Sequence, residues 1–303
     1  MSNFLGPLCA ILATLGFSSR AIFIKFVYQG TDIDPTTLLA LRMIFSVPFF
    51  ILMIFWPQRS PATRFSRNDW LKIGGLGLTG FYLSSYLDLS GLQYISASLE
   101  RLILFLYPTM VVLLTAVLAR RRVSIVELLA ILLSYAGIAA VFFEDLSKHD
   151  VVKDTIWLGG GLIFAAAITY AIYLVGSQGM VKKIGAMRYT GWVMLFSSLA
   201  AIAQFALLHS PATLAQAKPV IGLIVMIALF GTVLPTWLLA EAIKRSGANR
   251  TAVICTVGPV ATIGLDAWLL GESISMIQMG GAALVIGGVT LLALRPPKAG
   301  VKS

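Results

Sequence analysis

Eight ionisable side chains stand inside stretches otherwise too apolar to face water: Arg20, Lys25, Arg42, Asp88, Glu100, Arg101, Glu241 and Asp266. A charged group at the centre of a lipid-spanning helix costs about 2.5–3.5 kcal/mol on insertion scales, so it turns to the protein interior and pairs or binds something. Glu241 falls at the end of its stretch, where a side chain can reach solvent. The other seven, four basic and three acidic, are expected in the outer half of the bilayer or at its edge. Two chemistries fit this cluster. In one, Arg42, Asp88, Glu100 and Asp266 form interhelical ion pairs that latch a gate, with Lys25 at its rim. In the other, Arg20 or Arg101 grips a substrate carboxylate, and an acidic partner takes an amine or a proton. Arginine suits a carboxylate because its planar fork makes two parallel hydrogen bonds. Glu100 and Arg101 are adjacent, hence about 100° apart around a helix, and take different roles. Arg101 shares a face with Pro108 and is the better ligand; Glu100 is the better pairing group. If an ion gradient drives the reaction, Glu100, Asp88 or Asp266 must change protonation.

Aromatic residues supply a second set. Tyr82 and Tyr86 are four apart, on one helix face; Tyr170 and Tyr173 are three apart; Trp237 lies 151 residues beyond Tyr86. Such a wall accepts apolar side chains, or a cation by cation–π attraction. Trp56, Trp70, Trp157 and Trp268, near segment ends, read instead as interface anchors.

These groups must be positioned by membrane helices. The chain has 303 residues, 58% hydrophobic and 12% charged, with mean hydropathy +0.89. A soluble domain carries about 25% charged residues, so lipid is the solvent for much of this surface. Ten segments have the ~20-residue apolar length that spans a bilayer: 4–28, 35–56, 70–91, 96–118, 124–143, 155–178, 187–208, 218–241, 248–270 and 275–294. Sixteen of the 23 basic residues fall in loops on one side of this arrangement and three, Lys148, Lys153 and Lys218, on the other. The positive-inside rule therefore predicts both termini in the cytoplasm. The same loops account for the net charge of +10 without nucleic acid.

The chain reads as one unit written twice. At a shift of 151, Pro108 meets Pro259, Gly80 meets Gly231, Ala97 meets Ala248, Ser124 meets Ser275 and Gly137 meets Gly288. Five segments per half is an odd number, so the halves insert in opposite orientations. The expected organisation is a first repeat over 1–143, an external linker over 144–154, a second repeat over 155–294 and a cytoplasmic tail over 295–303. Inverted repeats of this kind bind solutes near the midplane, between the halves, at bends such as Pro108 and Pro259. Glu100 and Arg101 meet Thr251 and Ala252 at the same shift, so the charge pair belongs to one half only. Glycine pairs at 74–75, 159–161, 280–281 and 287–288 suit close helix packing.

Other classes find little support. Cys9 and Cys255 lie in apolar runs and form neither a disulfide framework nor a metal site. No phosphate-binding loop, GxSxG or HExxH motif is present, and His149 and His209 fall in or beside loops. An enzyme, a cofactor and a metal are therefore not expected. A channel is disfavoured by inverted halves with charges between them.

Several motifs resemble a known family. They are Gly16-Phe17-Ser18-Ser19, read as a turn, with Lys25 after it; Leu41-Arg42-Met43; Ser96-Ala97-Ser98 with Pro108; and Ala248, Pro259 and Leu270-Gly271-Glu272-Ser273. Together they resemble EamA repeats of the drug/metabolite transporter superfamily over about 4–143 and 155–294. The chain departs from the pattern at Arg121, where relatives often carry an acidic residue, and in its charged Glu100–Arg101 pair. The resemblance implies an all-α integral membrane protein, ten transmembrane helices in two inverted five-helix repeats. Segments 1, 3, 4, 6, 8 and 9 would surround a cavity, with 5 and 10 outside. It implies a multi-pass plasma (inner) membrane carrier working by alternating access and exporting an amino acid or related zwitterionic metabolite. Uptake or facilitated passage of an organic anion or nucleoside-like metabolite is the alternative. Candidate substrate-binding residues are Arg20, Tyr82, Tyr86, Arg101, Tyr170 and Trp237. Candidate gating or proton-coupling residues are Lys25, Arg42, Asp88, Glu100 and Asp266, with the proton as the expected coupling ion.

Overall fold

The computed structural model describes residues 2–55, 65–148, 153–246, 248–271 and 274–293. Trp56, Arg59, Arg64, His149, Glu272, Ser273 and the tail 295–303 lie outside the described residues. The elements are helical throughout these residues. In order they are α1 (Ser2–Gly30), α2 (Pro35–Ile54), α3 (Arg67–Gly77), a π-helical stretch Leu78–Leu83 and α4 (Ser84–Gly91). Then come α5 (Ala97–Leu104), α6 (Tyr107–Leu118), α7 (Ile125–Lys148), α8 (Lys153–Ile184) and α9 (Ala186–Leu208). A 3-10 helix over Pro211–Val220 leads into α10 (Ile221–Ala228), a second π-helical stretch Leu229–Val233 and α11 (Leu234–Ser246). Last are α12 (Ala248–Cys255), α13 (Gly258–Leu265), a π-helical end Asp266–Leu270 and α14 (Met276–Ala293). Among the described residues, 8 runs are long and apolar enough to cross a membrane, and a shorter apolar helix spans Met276–Leu292. Leu52, Leu132, Leu207 and Met276 are more than half exposed on the outside of the bundle. Such a surface is stable only against lipid.

Local chemistry sets the helix ends. Asp34 precedes Pro35 and caps α2, accepting hydrogen bonds from the Thr36 and Thr37 amides at 2.8 and 3.1 Å. Ser66 and Asp69 form a reciprocal capping box at the start of α3, which satisfies two otherwise orphaned amides. Between α8 and α9 the chain turns on Gly185 alone, at φ 82°, a value that a side chain disfavours. The Gly16-Phe17-Ser18-Ser19 motif is not a turn. It lies within unbroken α1, with the Ser19 hydroxyl donating to the Gly16 carbonyl at 2.9 Å. Its glycine serves packing: a Cβ there would lie 2.5 Å from Pro235 and 2.7 Å from the Phe230 carbonyl. Helix α8 continues to Ile184 rather than ending near 178, which brings Lys183 out of the expected loop and onto the helix.

The two halves share their irregularities. The α5–α6 run breaks at Phe105–Leu106 and the α12–α13 run at Thr256–Val257, 151 positions on. In both, the turn tightens: the Leu106 amide donates to Ile103 at 3.0 Å, and the Val257 amide to Ile254 at 3.3 Å. Pro108 and Pro259 follow at the first helical positions. Each lacks an N–H and crowds the preceding turn, so the helix restarts there. The π-helical stretches around Gly80 and Gly231 repeat at the same shift. Helices α7 and α14 pack about a local two-fold. A Cβ on Gly137 would lie 2.5 Å from the Gly281 carbonyl, and one on Gly288 2.5 Å from the Ala130 carbonyl. The shift of 151 exchanges these two contacts.

The symmetry is incomplete where the broken helices meet. At the end of the bundle where α5 begins, α5 packs along α13 and against α1. Among the described residues, the pseudo-symmetric pair α6 and α12 is not packed in this way. Contacts join the halves at both ends, and the α5–α13 contact does so at the α5 end. Ser275 donates to Glu144 across them there at 2.7 Å, and His209 Nε2 lies 3.4 Å from Asp34. At the opposite end Lys183 reaches Asp69 at 2.6 Å, and Trp70 stacks edge-on against Trp192 at 4.7 Å.

Candidate substrate site between the broken helices

The charged residues gather where α1, α4, α5 and α13 meet. Arg20 of α1 donates from Nη2 to Asp88 Oδ2 of α4 at 2.8 Å, with both side chains largely buried. Gly231 makes room for it, since a Cβ there would lie 3.1 Å from the Arg20 Cβ. Arg42 of α2 is 1% exposed, and its Nε and Nη1 have no hydrogen-bond partner. It stands in the field of Arg20, Asp88 and Tyr28. The expected latch of Arg42, Asp88, Glu100 and Asp266 is therefore not formed as a set of mutual ion pairs. Asp88 takes Arg20 instead, and next to it the Tyr28 hydroxyl of α1 donates to the Leu89 carbonyl of α4 at 2.9 Å.

Glu100 and Arg101 diverge, as their angular offset requires. Glu100 is 0% exposed, neither carboxylate oxygen has a hydrogen-bond donor, and the group interacts with Asp88. Arg101 points to the other half. Its Nε donates to Thr262 Oγ1 of α13 at 3.2 Å and its Nη2 to Ser18 Oγ of α1 at 3.5 Å. Both hydroxyls in turn donate hydrogen bonds to the Gly258 carbonyl at 3.1 Å. A cation thus rests on neutral acceptors at the start of α13, just past the break before Pro259. An arriving carboxylate would displace weak hydroxyl contacts and gain charge-assisted ones.

Aromatic rings lie beside the cations. Tyr107, at the restart after the first break, meets Tyr170 of α8 edge-on at 5.2 Å. Tyr107 interacts with Arg101 and Cys255; Tyr170 interacts with Arg20 and Cys255. Tyr170 stacks on Tyr173 at 5.7 Å, and Tyr173 fits against Gly80, where a Cβ would lie 2.2 Å away. Arg20, Arg101, Tyr107, Tyr170 and Cys255 all keep part of their surface accessible. Tyr82, Tyr86 and Trp237 are half-buried and pack against a different apolar cluster, formed mainly by α1, α2, α9 and α10.

Asp266 has its own arrangement. Its Oδ2 accepts from the Ser98 amide at 3.0 Å and from the Ser98 hydroxyl, so it caps α5 from the other half. Lys25 stands in its field. The Ser96 hydroxyl, also in the first turn, donates to Asp145 at 3.0 Å. Glu241, expected at the end of its stretch, lies five residues before the end of α11, its side chain 13% exposed and paired with Arg245 at 2.7 Å.

The structure brings Arg20, Asp88, Glu100, Arg101 and Tyr170 together and adds Ser18, Tyr107, Cys255 and Thr262. Sequence reasoning passed over these four. The available signal was proximity to the prolines: Tyr107 precedes Pro108, Thr262 follows Pro259 by three, and Cys255 closes α12.

Known proteins agree on the class. The profile of the EamA-like transporter family matches residues 4–143 and again 157–294. The chain is 33% identical to the uncharacterized transporter YcbK of Bacillus subtilis, over 98% of this chain and 95% of that one. It is 25% identical to the uncharacterized transporter YyaM of the same organism, covering 95% of each. It is 21% identical to the uncharacterized inner membrane transporter YicL of Salmonella typhimurium, again over 95% of each. One solved crystal structure superposes with a TM-score of 0.62 at 16% identity, over 94% of this chain and 95% of that one, which bears on the fold alone. Two apolar repeats, both bent at matching prolines and both matched by one family profile, place this chain in the EamA-like transporter family.

Proposed function

We propose that the chain is a secondary carrier for a small metabolite bearing a carboxylate, with amino acids and related zwitterions the first class to test. Arg101 carries the reading. It stands between the two broken helices, donates its hydrogen bonds to the neutral hydroxyls of Thr262 and Ser18, and has Tyr107 and Tyr170 beside it. Arg20 adds a second guanidinium, and the aromatic pair suits the apolar part of the substrate. In this reading all ten segments span the plasma membrane as two inverted repeats, divided at the 144–154 linker, and both termini are cytoplasmic. The α5 end then faces outward. In this reading the α5–α13 packing is the outer closure and the less packed α6–α12 pair marks the inner gate, the arrangement in which a carrier would load for export. Rocking of the halves would exchange the two arrangements.

The test is flux into proteoliposomes with radiolabelled amino acids, followed by counterflow. Saturable flux accelerated by substrate on the opposite side supports a carrier. A large conductance that does not saturate, or flux that survives intact in R101A, overturns the assignment.

A further inference from the structure

Glu100 is not used by the substrate reading, yet it is fully buried and neither of its oxygens receives a hydrogen bond. Two guanidiniums stand in its field but donate elsewhere: Arg101 to Thr262 and Ser18, and Arg20 to Asp88. An ionised carboxylate so placed, without donors, would be strongly disfavoured. Its neighbour Asp88 is 2% exposed and uses only Oδ2, so its Oδ1 is buried without a partner. Two adjacent carboxylates with free oxygens are the geometry that shares one proton, because both cannot ionise side by side. The surroundings exclude a metal cation in that place. Arg20 and Tyr28 of α1, Arg42 of α2 and Arg101 of α5 face the pair, with Tyr170 of α8 near Arg20. On the other faces of α5, Asp266 is taken by Ser98 and Asp145 by Ser96.

We propose that Glu100 and Asp88 form a proton-binding site linked to the substrate, and that the carboxylate and one proton cross together. This rests on the carboxylate reading of Arg20 and Arg101. In this proposal the shared proton lies between Glu100 and the otherwise unpartnered Oδ1 of Asp88, whose Oδ2 holds Arg20. When a substrate carboxylate takes the Arg20 fork, the Nη2–Oδ2 hydrogen bond breaks, and Asp88 loses its cation. Its negative charge then remains compensated only by the shared proton, which is held more tightly. By reciprocity the bound proton favours the carboxylate equally. When α5 separates from α13 and water reaches the pair, the proton passes to water and Asp88 recaptures Arg20 as the substrate leaves.

Infrared spectroscopy of the purified protein at neutral pH tests the site without any substrate. A protonated carboxyl stretch is expected in the wild type. It should vanish in E100Q, where Asp88 stays ionised on Arg20, and in D88N, where Glu100 takes over Arg20. It should persist in R101A. A wild-type spectrum lacking the band, or a band kept in either E100Q or D88N, overturns the proposal. Coupling is read separately in wild-type proteoliposomes given a radiolabelled amino-acid mixture and an imposed pH gradient as the sole driving force. Accumulation on the alkaline side supports joint movement, and flux indifferent to the gradient overturns it. If none of these probes moves at all, the substrate reading fails, and the infrared band alone decides the proton site.

Discussion

The Asp266 carboxylate closes the first turn of α5 from the opposite half of the molecule, accepting both the amide and the hydroxyl of Ser98. Four amides at a helix start lack internal partners, and the partial positive charge there favours an anion. The α5–α13 contact is therefore fastened by a helix cap rather than by an ion pair.

Removing the cap should free that end of the bundle. Asp266→Ala is expected to lower stability by about 1 kcal/mol, as for loss of other N-caps, and to raise labelling of a cysteine introduced at Ser98. Thermal unfolding and labelling rate with a membrane-impermeant thiol reagent measure the two effects. Unchanged labelling would show that the cap does not hold the gate.

Arg101→Ala should abolish saturable flux while leaving folded protein. Arg101→Lys should recover only part of it, with flux about tenfold or more below wild type, because an ammonium cannot make the paired contacts of a guanidinium. Initial rates against substrate concentration check both. Equal rates for arginine and lysine would remove the bidentate grip from the site.

Helix α14 offers a paired comparison. Gly281 faces α7 so closely that a Cβ would lie 2.4 Å from Val141 and 2.6 Å from the Gly137 carbonyl, whereas Gly280 meets nothing within 4 Å. Gly281→Ala is expected to cost about 1–3 kcal/mol through overpacking; Gly280→Ala should be neutral or slightly stabilising. Melting temperatures in one detergent decide it.

Asp69 predicts a pH response away from the substrate site. The hydrogen bond from Lys183, helped by Ser66, lowers its carboxyl from the ordinary 3.8 to about 2. A lowered folded value means that the ionised form stabilises the fold. That contribution is complete above 3.8 and is lost as the pH falls toward about 2. Stability measured through this window should fall in the wild type. In Lys183→Ala the folded value should rise toward 3.8, so the window narrows from below and the stability lost on acidification becomes smaller.

Much of the architecture was legible because it follows from periodicity and composition. Apolar runs of membrane length, the shift of 151 and the proline pair need no tertiary information, and the structure repeats its breaks and π-helical stretches at that shift. The separation of Glu100 from Arg101 followed from helix geometry. The partner of each charge did not. Which carboxylate meets which guanidinium depends on how the helices pack, and Gly231, more than 200 positions from Arg20, leaves the space that Arg20 occupies. The turn expected at Gly16 failed for a related reason: glycine serves bends and close packing alike, and only the neighbour, Pro235, distinguishes them.

By itself, then, the sequence determined a membrane-embedded helical protein made of two matching halves, bent at Pro108 and Pro259, with an unmatched charge pair in the first. These are one-dimensional properties, set by solvent preference and backbone chemistry along the chain. Only the tertiary structure decided that Arg101 meets the hydroxyls of Thr262 and Ser18, one from each half, that Asp88 belongs to Arg20, and that Asp266 caps α5. Those pairings join residues from different helices, and the packing that aligns them is cooperative across the whole bundle.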